Sequence, residues 1–484
     1  MTSLDDGLGP EVARVLREWA EVHNRHYDLE RWLVNGRSRQ PVAVVCETDS
    51  DDEKTTMLVL KVLTAQDGSA AKIEYTRHRQ ASKQAPEFAE AHLSTFVHGA
   101  IPVPGGQWIT FQRIAAKSLG NTEVLTVLLR RMLGLHDEVE PEHVTEIACT
   151  PNTFANACST VVAGVLRDWA GSPFIPPGER CALAEFFRWH IFDQLEPGGR
   201  LAEWASRCQG DQITVPGERD PLPNPFAVAA GQLLAEVRIA PFRGRCHGDL
   251  HTDNALVRVR PHIDTEDYFL IDTALYEQVG PMTRDPMHLL LYIVARSMET
   301  ITAPAQQSAL IELLLDPVHG PAHLLPSWLS TLIKQVDAEI MAWVEPSGLA
   351  QRWREQAALS LAACAMLFLG RTSTRTEDKP WFLRLAARAV ARFAALARID
   401  ASGQGALRTS TNPAAPSPPD DPRDPITLDY RDPVMLDDSA ENSGDSPARV
   451  DPRPMTTGSV FQSGGGTNIA ITGSTHDVTV NDRR

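Results

Sequence analysis

The chain has 484 residues and a formal net charge of −16 at pH 7. Because one domain usually holds roughly 100 to 200 residues, this length favours two globular parts with further segments attached. The acidic balance and an aromatic content of 6% argue against nucleic-acid and membrane-surface binding, since phosphate backbones and anionic lipids repel an acidic surface.

Cysteine usage and the apolar runs favour a cytoplasmic protein. The seven cysteines are scattered without a CxxC pair, which is typical of reduced thiols. The N-terminal residues MTSLDDGLG lack the basic and apolar regions of a secretory signal. The most apolar run, Ala357–Leu369, is shorter than the roughly 20 residues that span a bilayer, so it predicts a buried helix.

Residues 1–120 predict a small lobe of mixed helix and sheet. Short apolar and β-branched runs predict strands, and charged helix formers with one internal proline predict an interrupted helix. The predicted elements are strands at Pro41–Cys46, Met57–Leu63 and Trp108–Ile114, and a helix at Lys72–Leu93 that Pro86 breaks or restarts.

Residues 121–400 predict a larger lobe that is almost wholly helical. Two short strands interrupt it, Ala255–Val259 and Tyr268–Asp272, and the polar residues between them predict a hairpin. A mixed small lobe followed by a helical lobe with one hairpin limits the number of folds that the chain can adopt.

One loop and the hairpin after it carry the residues that phosphoryl transfer requires. His247–Asn254 reads HGDLHTDN, and Asp272 follows Asn254 by eighteen residues. Phosphoryl transfer needs one carboxylate to position the attacking hydroxyl and two oxygen ligands for Mg²⁺. Because the hairpin folds the chain back, we expect Asp249, Asn254 and Asp272 to lie close together.

HGDLHTDN resembles the catalytic loop HGDxHxxN of the aminoglycoside phosphotransferase and choline kinase-like family, distant relatives of protein kinases. The resemblance covers about residues 30–390 and implies an α+β, bilobal, protein kinase-like fold that binds ATP and Mg²⁺. It implies the following roles: Asp249 as catalytic base, Asn254 and Asp272 as Mg²⁺ ligands, and His247 and His251 as supports of the loop. Thr273 departs from the family, which has an aromatic residue after the aspartate.

The resemblance also implies a nucleotide-binding set in the small lobe. Lys61 would hold the α- and β-phosphates and pair with a glutamate on the next helix, for which Glu74 is the first candidate. The weaker candidates are Glu87 and Glu90. The turn over the phosphates would contain Gly36, and a hinge at residues 112–115, including Gln112 and Ile114, would contact adenine.

Structural interpretations of the same residues remain open. His247 and His251 have the HxxxH spacing of a zinc helix, although Gly248 disfavours a helix by about 1 kcal/mol relative to alanine. Lys61 alone is also typical of an edge-strand lysine with its ammonium group in water. Asp285, followed by Pro286, predicts a helix N-cap and could in addition steady the catalytic loop.

The last part of the chain differs in composition from the two lobes. Residues 401–455 are rich in Pro, Asp and Ser and predict a disordered acidic linker. Residues 456–484 form a β-prone tail in which Phe461–Gly464 loosely resembles RHIM-related bacterial amyloid-signalling motifs, with Ser463 as a departure. The alternatives are a short tag that adds a strand to a partner's sheet and a frayed glycine-rich end.

Two functions of different classes follow from the sequence. The first is a phosphotransferase that moves the γ-phosphate of ATP, or GTP, to a hydroxyl of a small molecule or protein. The sequence does not identify the acceptor; Asp211 and Glu218 are acidic candidates for a cationic one. The second is a signalling or conflict-response protein whose kinase-like core is joined to a tail that recruits partners or self-assembles.

Overall fold

The computed structural model describes residues 3–32, 41–50, 54–64, 70–114, 120–135, 147–176 and 178–399. All of them belong to one compact unit. The predicted linker and tail, and Gly36 in the predicted phosphate-covering turn, lie outside the described residues. What the sequence predicts for the linker, the tail and Gly36 therefore stays a prediction.

The N-terminal region is built on a five-stranded antiparallel sheet. The five strands are β1 Arg25–Trp32, β2 Val42–Asp49, β3 Thr55–Thr64, β4 Ile101–Val103 and β5 Gln107–Arg113. Their order in the sheet is β1-β2-β3-β5-β4, and the three strands predicted in this region are confirmed as β2, β3 and β5. Strands β1 and β4, and two N-terminal helices, α1 Leu4–Leu8 and α2 Pro10–Val22, were not predicted.

Side-chain alternation in β3 decides which residues face the rest of the molecule. Leu58, Leu60 and Val62 pack with α2 in one apolar cluster. Val59 packs on the opposite face of the sheet, against Leu256 and Ile271 of the C-terminal part. Because side chains alternate with period two along a strand, Lys61 shares the face of Val59.

The predicted interrupted helix is two helices. Helix α3 covers Ala70–Gln84, and α4 covers Pro86–His92 with its proline at the first turn. Proline lacks an N–H and is tolerated only in the first turn of a helix, so it starts a second helix here.

The C-terminal part is mainly helical, as predicted. Its helices are α5 Leu125–Met132, α6 Pro151–Gly164, α7 Leu183–Ile191, α8 Ala202–Arg207, α9 Pro225–Ala229, α10 Arg284–Ser297, α11 Pro304–Leu315, α12 Ser327–Val344, α13 Ala350–Gly370 and α14 Lys379–Ala397. A π-helical turn, Val165–Ala170, continues α6. Helix α13 contains the apolar run predicted as a buried helix, and its side chains are largely buried. Among the helices that the structure describes, none is long and apolar enough to cross a membrane.

The predicted hairpin is present within a three-stranded sheet. Strands β12 Ala255–Arg258 and β13 Asp264–Leu270 pair antiparallel, and β6 Thr122–Val124 pairs with β12. The predicted end of the second strand at Asp272 was wrong, because the strand stops at Leu270 and Asp272 adopts a left-handed backbone conformation with φ of 60°. Because of this backbone conformation, the side chain of Asp272 does not continue the alternation of side chains along β13.

Shorter strand pairs complete the C-terminal part. The pair that bears on the site is β11 Arg243–Cys246 with β14 Glu277–Pro281, since the HGDLHTDN loop leaves β11 directly. The other pairs are β7 Cys181–Ala182 with β10 Arg238–Ile239, and β8 Gln212–Ile213 with β9 Leu222–Pro223.

Candidate active site

The loop that starts at His247 is fixed by a carboxylate from a distant helix. Asp285, on α10, accepts hydrogen bonds from the backbone N–H of His247 at 2.6 Å and of Gly248 at 2.9 Å. The predicted N-cap role of Asp285 was wrong: α10 begins one residue earlier, at Arg284, and the carboxylate turns toward the loop. Two buried N–H groups of the loop would each be left without a partner if the carboxylate turned back to cap its own helix.

Both histidines of the motif support the loop through their ring nitrogens. The Nε2–H of His247 donates to the carbonyl of Ile271 at 2.9 Å, and Nδ1 accepts from the backbone N–H of Asp249 at 3.3 Å. Nδ1 of His251 accepts from the backbone N–H of Asp253 at 3.2 Å. The ring of His251 stacks on that of Tyr292, with 4.4 Å between the ring centroids. Burial lowers the pKa of His247, which agrees with a neutral ring in this bonding pattern.

The hydrogen bonds of His247 also argue against the zinc alternative, since both of its ring nitrogens are engaged within the protein. Among the described residues, no group of three or more His, Cys, Asp or Glu side chains is arranged to hold a metal ion.

Asp249 lies at the centre of a basic surrounding. Its Oδ2 is 3.6 Å from His251 Nε2, and its Oδ1 is 3.8 Å from Arg371 Nη2. Burial alone would raise the pKa of Asp249, but the hydrogen bond from His251 and the positive charge of Arg371 hold it well below its ordinary value. The side chain is 20% exposed, so an ionised carboxylate faces the space that a ligand can reach.

Asn254 and Asp272 are brought together by the hairpin. The backbone N–H of Ile271 donates to the carbonyl of Asn254 at 3.1 Å, and this bond places Asp272 next to Asn254 across the open end of the hairpin. Asn254 Nδ2 donates to the carbonyl of Asp249 at 3.0 Å, which ties the asparagine to the loop. The expected convergence of Asp249, Asn254 and Asp272 is therefore found.

Two oxygen atoms at this point are buried without a hydrogen-bond partner among the described residues. They are Asn254 Oδ1 and Asp272 Oδ2. The other oxygen of Asp272, Oδ1, accepts only a long bond of 3.4 Å from the N–H of Ala274. Such oxygens are costly in a protein interior unless a donor or a cation satisfies them.

Burial raises the pKa of Asp272 to about 8, and the neighbouring charges of Glu74 and Asp249 act in the same direction. Lys61 opposes the shift by stabilising the ionised form. Side chains from β3, α3 and the loop thus lie close enough to the carboxylate of Asp272 to change its pKa.

Lys61 and Glu74 form the predicted pair between β3 and α3. Lys61 Nζ donates to Glu74 Oε1 at 3.5 Å, and Lys61 is only 1% exposed. The alternative with the ammonium group in water is therefore not found. Glu87 and Glu90, the weaker candidates, are exposed on α4.

Helix α3 is also tied directly to the segment after Asp272. Arg77, one turn after Glu74, donates from Nη1 to the carbonyl of Ala274. Tyr276 OH donates to Gln84 Oε1 at 2.8 Å near the end of the same helix. These contacts fix the helix that carries Glu74 relative to Asp272.

The predicted adenine region contains Gln112 and Ile114. Gln112 lies on β5, is 4% exposed, and donates from Nε2 to the carbonyl of Ser94 at 2.8 Å. Ile114 belongs to an apolar cluster between the small sheet and the hairpin, which we call the interlobe cluster. Its buried members are Val42, Val44, Val59, Ile114, Val124, Leu256 and Ile271.

Several residues around the loop were missed by the sequence analysis. Asp253 accepts from Arg296 Nη2 at 2.8 Å and also from Thr126 and Tyr292. His288 donates from Nδ1 to the carbonyl of Leu250 at 3.0 Å and accepts at Nε2 from Arg371 at 2.8 Å. A histidine within the apolar run of α10 was the one sequence feature that could have indicated this support.

The two acidic candidates for a cationic acceptor do not join the site contacts. Glu218 accepts from Arg384 Nε at 2.6 Å on α14, and Asp211 is exposed.

Comparisons with known proteins give no family assignment. No protein-family model matches the chain, and no curated protein matches it. Among solved structures, an ethanolamine kinase of Plasmodium vivax aligns with 80% of this chain and 90% of that chain, at 8% sequence identity and a TM-score of 0.27. A likeness at this level assigns neither family nor function.

Proposed function

We propose that this protein is a kinase-like phosphotransferase that uses ATP and Mg²⁺ to phosphorylate a hydroxyl group. The observation that carries the proposal is the meeting of Asp249, Asn254 and Asp272 beside Lys61. An ionised carboxylate, two buried oxygen atoms without partners and a buried cation are the groups that phosphoryl transfer requires in one place.

Asn254 Oδ1 and Asp272 Oδ2 fit a magnesium ion. Mg²⁺ prefers oxygen ligands and is usually held by one or two protein groups together with substrate phosphates and water. A divalent cation would also offset the burial and the charges of Glu74 and Asp249 that raise the pKa of Asp272. When bound, the ion neutralises the charge that develops on the phosphates during transfer.

Asp249 would position the acceptor. Its low pKa keeps the carboxylate ionised at neutral pH, so it can accept a hydrogen bond from an approaching hydroxyl. His247, Asn254 and Asp285 hold the backbone of its loop, which limits the positions open to the carboxylate. A prepositioned group loses little entropy when the acceptor binds.

Lys61 would bind the nucleotide phosphates, and the interlobe cluster would provide the apolar surface for the base. Glu74 orients the ammonium group of Lys61, and the contacts of Arg77 keep α3 in place. The cluster lies on the same face of the sheet as Lys61.

The proposal is tested by Asp249→Asn in the full chain. We expect ATP consumption with a panel of hydroxyl compounds to fall at least about 100-fold, because general-base positioning typically contributes that much. Binding of ATP should change little, which shows that the variant is folded, whereas the melting temperature should fall because the stabilised carboxylate is lost. The matched control is Asp211→Asn, an exposed position, which should retain wild-type turnover. Turnover that survives in Asp249→Asn would contradict the proposal, as would a wild-type protein that binds ATP but produces no ADP with any acceptor.

A further inference from the structure

Arg371 shares the partly exposed space around Asp249. Arg371 directly follows α13, and its Nη2 is 3.8 Å from Asp249 Oδ1. Its side chain is 17% exposed and that of Asp249 is 20% exposed, whereas the side chains of His251 and His288 are only 2% exposed. A molecule that reaches Asp249 therefore meets the guanidinium group of Arg371.

The position of Arg371 is determined by buried neighbours. Its Nη2 donates at 2.8 Å to Nε2 of His288, whose Nδ1–H is held by the carbonyl of Leu250 at 3.0 Å. Burial lowers the pKa of His288 well below its ordinary value, which keeps Nε2 an acceptor at neutral pH. These hydrogen bonds therefore hold the guanidinium group in one position beside Asp249.

Arg371 also packs against two buried aromatic rings. Its guanidinium carbon is 4.4 Å from the ring centroid of Phe368 and 5.7 Å from that of Tyr292. Aromatic faces are where proteins commonly hold an ammonium group of a ligand. Here the two rings are buried, and the guanidinium group of Arg371 covers them. An amine-bearing acceptor at Asp249 would meet this positive charge beside the carboxylate.

We infer that Arg371 determines acceptor specificity, and that the acceptor carries a carboxylate or phosphate group close to its reactive hydroxyl. This inference rests on the proposed function. A hydroxyl within hydrogen-bond reach of Asp249 brings neighbouring atoms of the acceptor to within a few ångströms of the guanidinium group, which binds planar anions with paired N–H donors. Arg371 is thus a specificity residue for negatively charged alcohols.

The test compares four small probes on one carbon skeleton. They are glycerate, glycerol 3-phosphate, glycerol and 3-amino-1,2-propanediol, titrated calorimetrically into the full chain saturated with a non-hydrolysable ATP analogue and Mg²⁺. The analogue fills the nucleotide site, so an anionic probe cannot bind at Lys61 instead. We expect at least one anionic probe to bind about tenfold or more tightly than glycerol, and the amine to bind more weakly than glycerol.

Arg371→Met should remove this preference, and Arg371→Lys should retain part of it because the charge remains. The matched control is Arg207→Met, which removes the same charge from a side chain that is 65% exposed and paired with Glu203. Tighter binding of the amine, unchanged preference in Arg371→Met, or no binding of either anion would overturn the inference. Failure of the ATP analogue itself to bind would instead overturn the proposed function.

Carboxylate and phosphate are distinguished by the same titrations. Preferential binding of glycerate identifies a hydroxy acid, and preferential binding of glycerol 3-phosphate identifies a phosphorylated alcohol. Either result supports Arg371 as the specificity residue.

Discussion

At the scale of single residues, the HGDLHTDN loop depends on hydrogen bonds to residues outside it. Asp285 satisfies two backbone N–H groups, and His247 connects the loop to Ile271 beside Asp272. Burial raises the pKa of Asp285, and the hydrogen bonds from the loop oppose that shift. The carboxylate and the loop therefore stabilise each other, and the backbone on either side of Asp249 is held in place.

Gly248 is required for this geometry, and its replacement should be destabilising. Its φ is +81°, and an added Cβ would lie 2.0 Å from the carbonyl oxygen of Leu275. Gly248→Ala should therefore lower the free energy of unfolding by at least about 2 kcal/mol, since both the backbone conformation and the backbone contact oppose it.

Gly348 provides the control, with φ of +70° and no atom within 4 Å of an added Cβ. Gly348→Ala should cost only about 1 kcal/mol, from the conformation alone. Urea unfolding of the two variants measures the difference, and equal losses would show that the contact with Leu275 is not restrictive.

At the scale of elements, the sequence predicted those parts of the site that are close together in the chain. The hairpin follows from two apolar runs with a polar turn, and it brings Asp272 back to Asn254 within eighteen residues. The alternation of β3 places Lys61 on an inner face, and the next helix offers Glu74. The hairpin, the inner face of β3 and the following helix can each be predicted from the periodicity and spacing of neighbouring residues in the sequence.

The parts that were missed are distant in sequence. Arg371 reaches Asp249 from the residue after α13. Helices α1 and α2, which cover one face of the small sheet, were overlooked although the apolar spacing within Pro10–Val22 is a local signal. Asp285 was recognised as significant but was given the wrong primary role, because a helix cap is a local interaction and a bond to the loop is not. Tertiary hydrogen bonds leave no periodic pattern in the sequence, so they could not be predicted from one chain.

At the scale of the whole molecule, buried histidines couple stability to pH. Burial lowers the pKa of His78 to about 4 and that of His190 to about 3, and it also lowers those of His247 and His288. Below their ordinary pKa of 6.5 the unfolded chain binds protons that the folded protein does not. Each such histidine therefore stabilises the fold fully above pH 6.5 and loses this contribution as the pH falls toward the folded pKa.

His190 allows this coupling to be measured. Its Nδ1 donates to the carbonyl of Phe186 at 2.9 Å and its Nε2 accepts from Ser360 Oγ at 2.8 Å. Between pH 6 and pH 4.5, wild-type protein should lose about 1 to 2 kcal/mol more unfolding free energy than His190→Gln, which cannot titrate. The raised pKa of Asp272 acts in the opposite direction but is common to both proteins, so the comparison removes it. Parallel pH profiles in urea unfolding would contradict the expectation.

The central claim is that Asp272 and Asn254 hold Mg²⁺ beside a nucleotide. The most direct measurement is the melting temperature of the full chain with ATP and Mg²⁺ and with ATP and a chelator, compared between wild type, Asp272→Asn and the exposed control Asp211→Asn. A ligand that binds only the folded protein raises the melting temperature by mass action. Because burial already raises the pKa of Asp272 to about 8, the neutral asparagine should leave the ligand-free protein stable. We predict a magnesium-dependent increase of several degrees in wild type and in Asp211→Asn, and its loss in Asp272→Asn; an equal increase in all three proteins would contradict the claim.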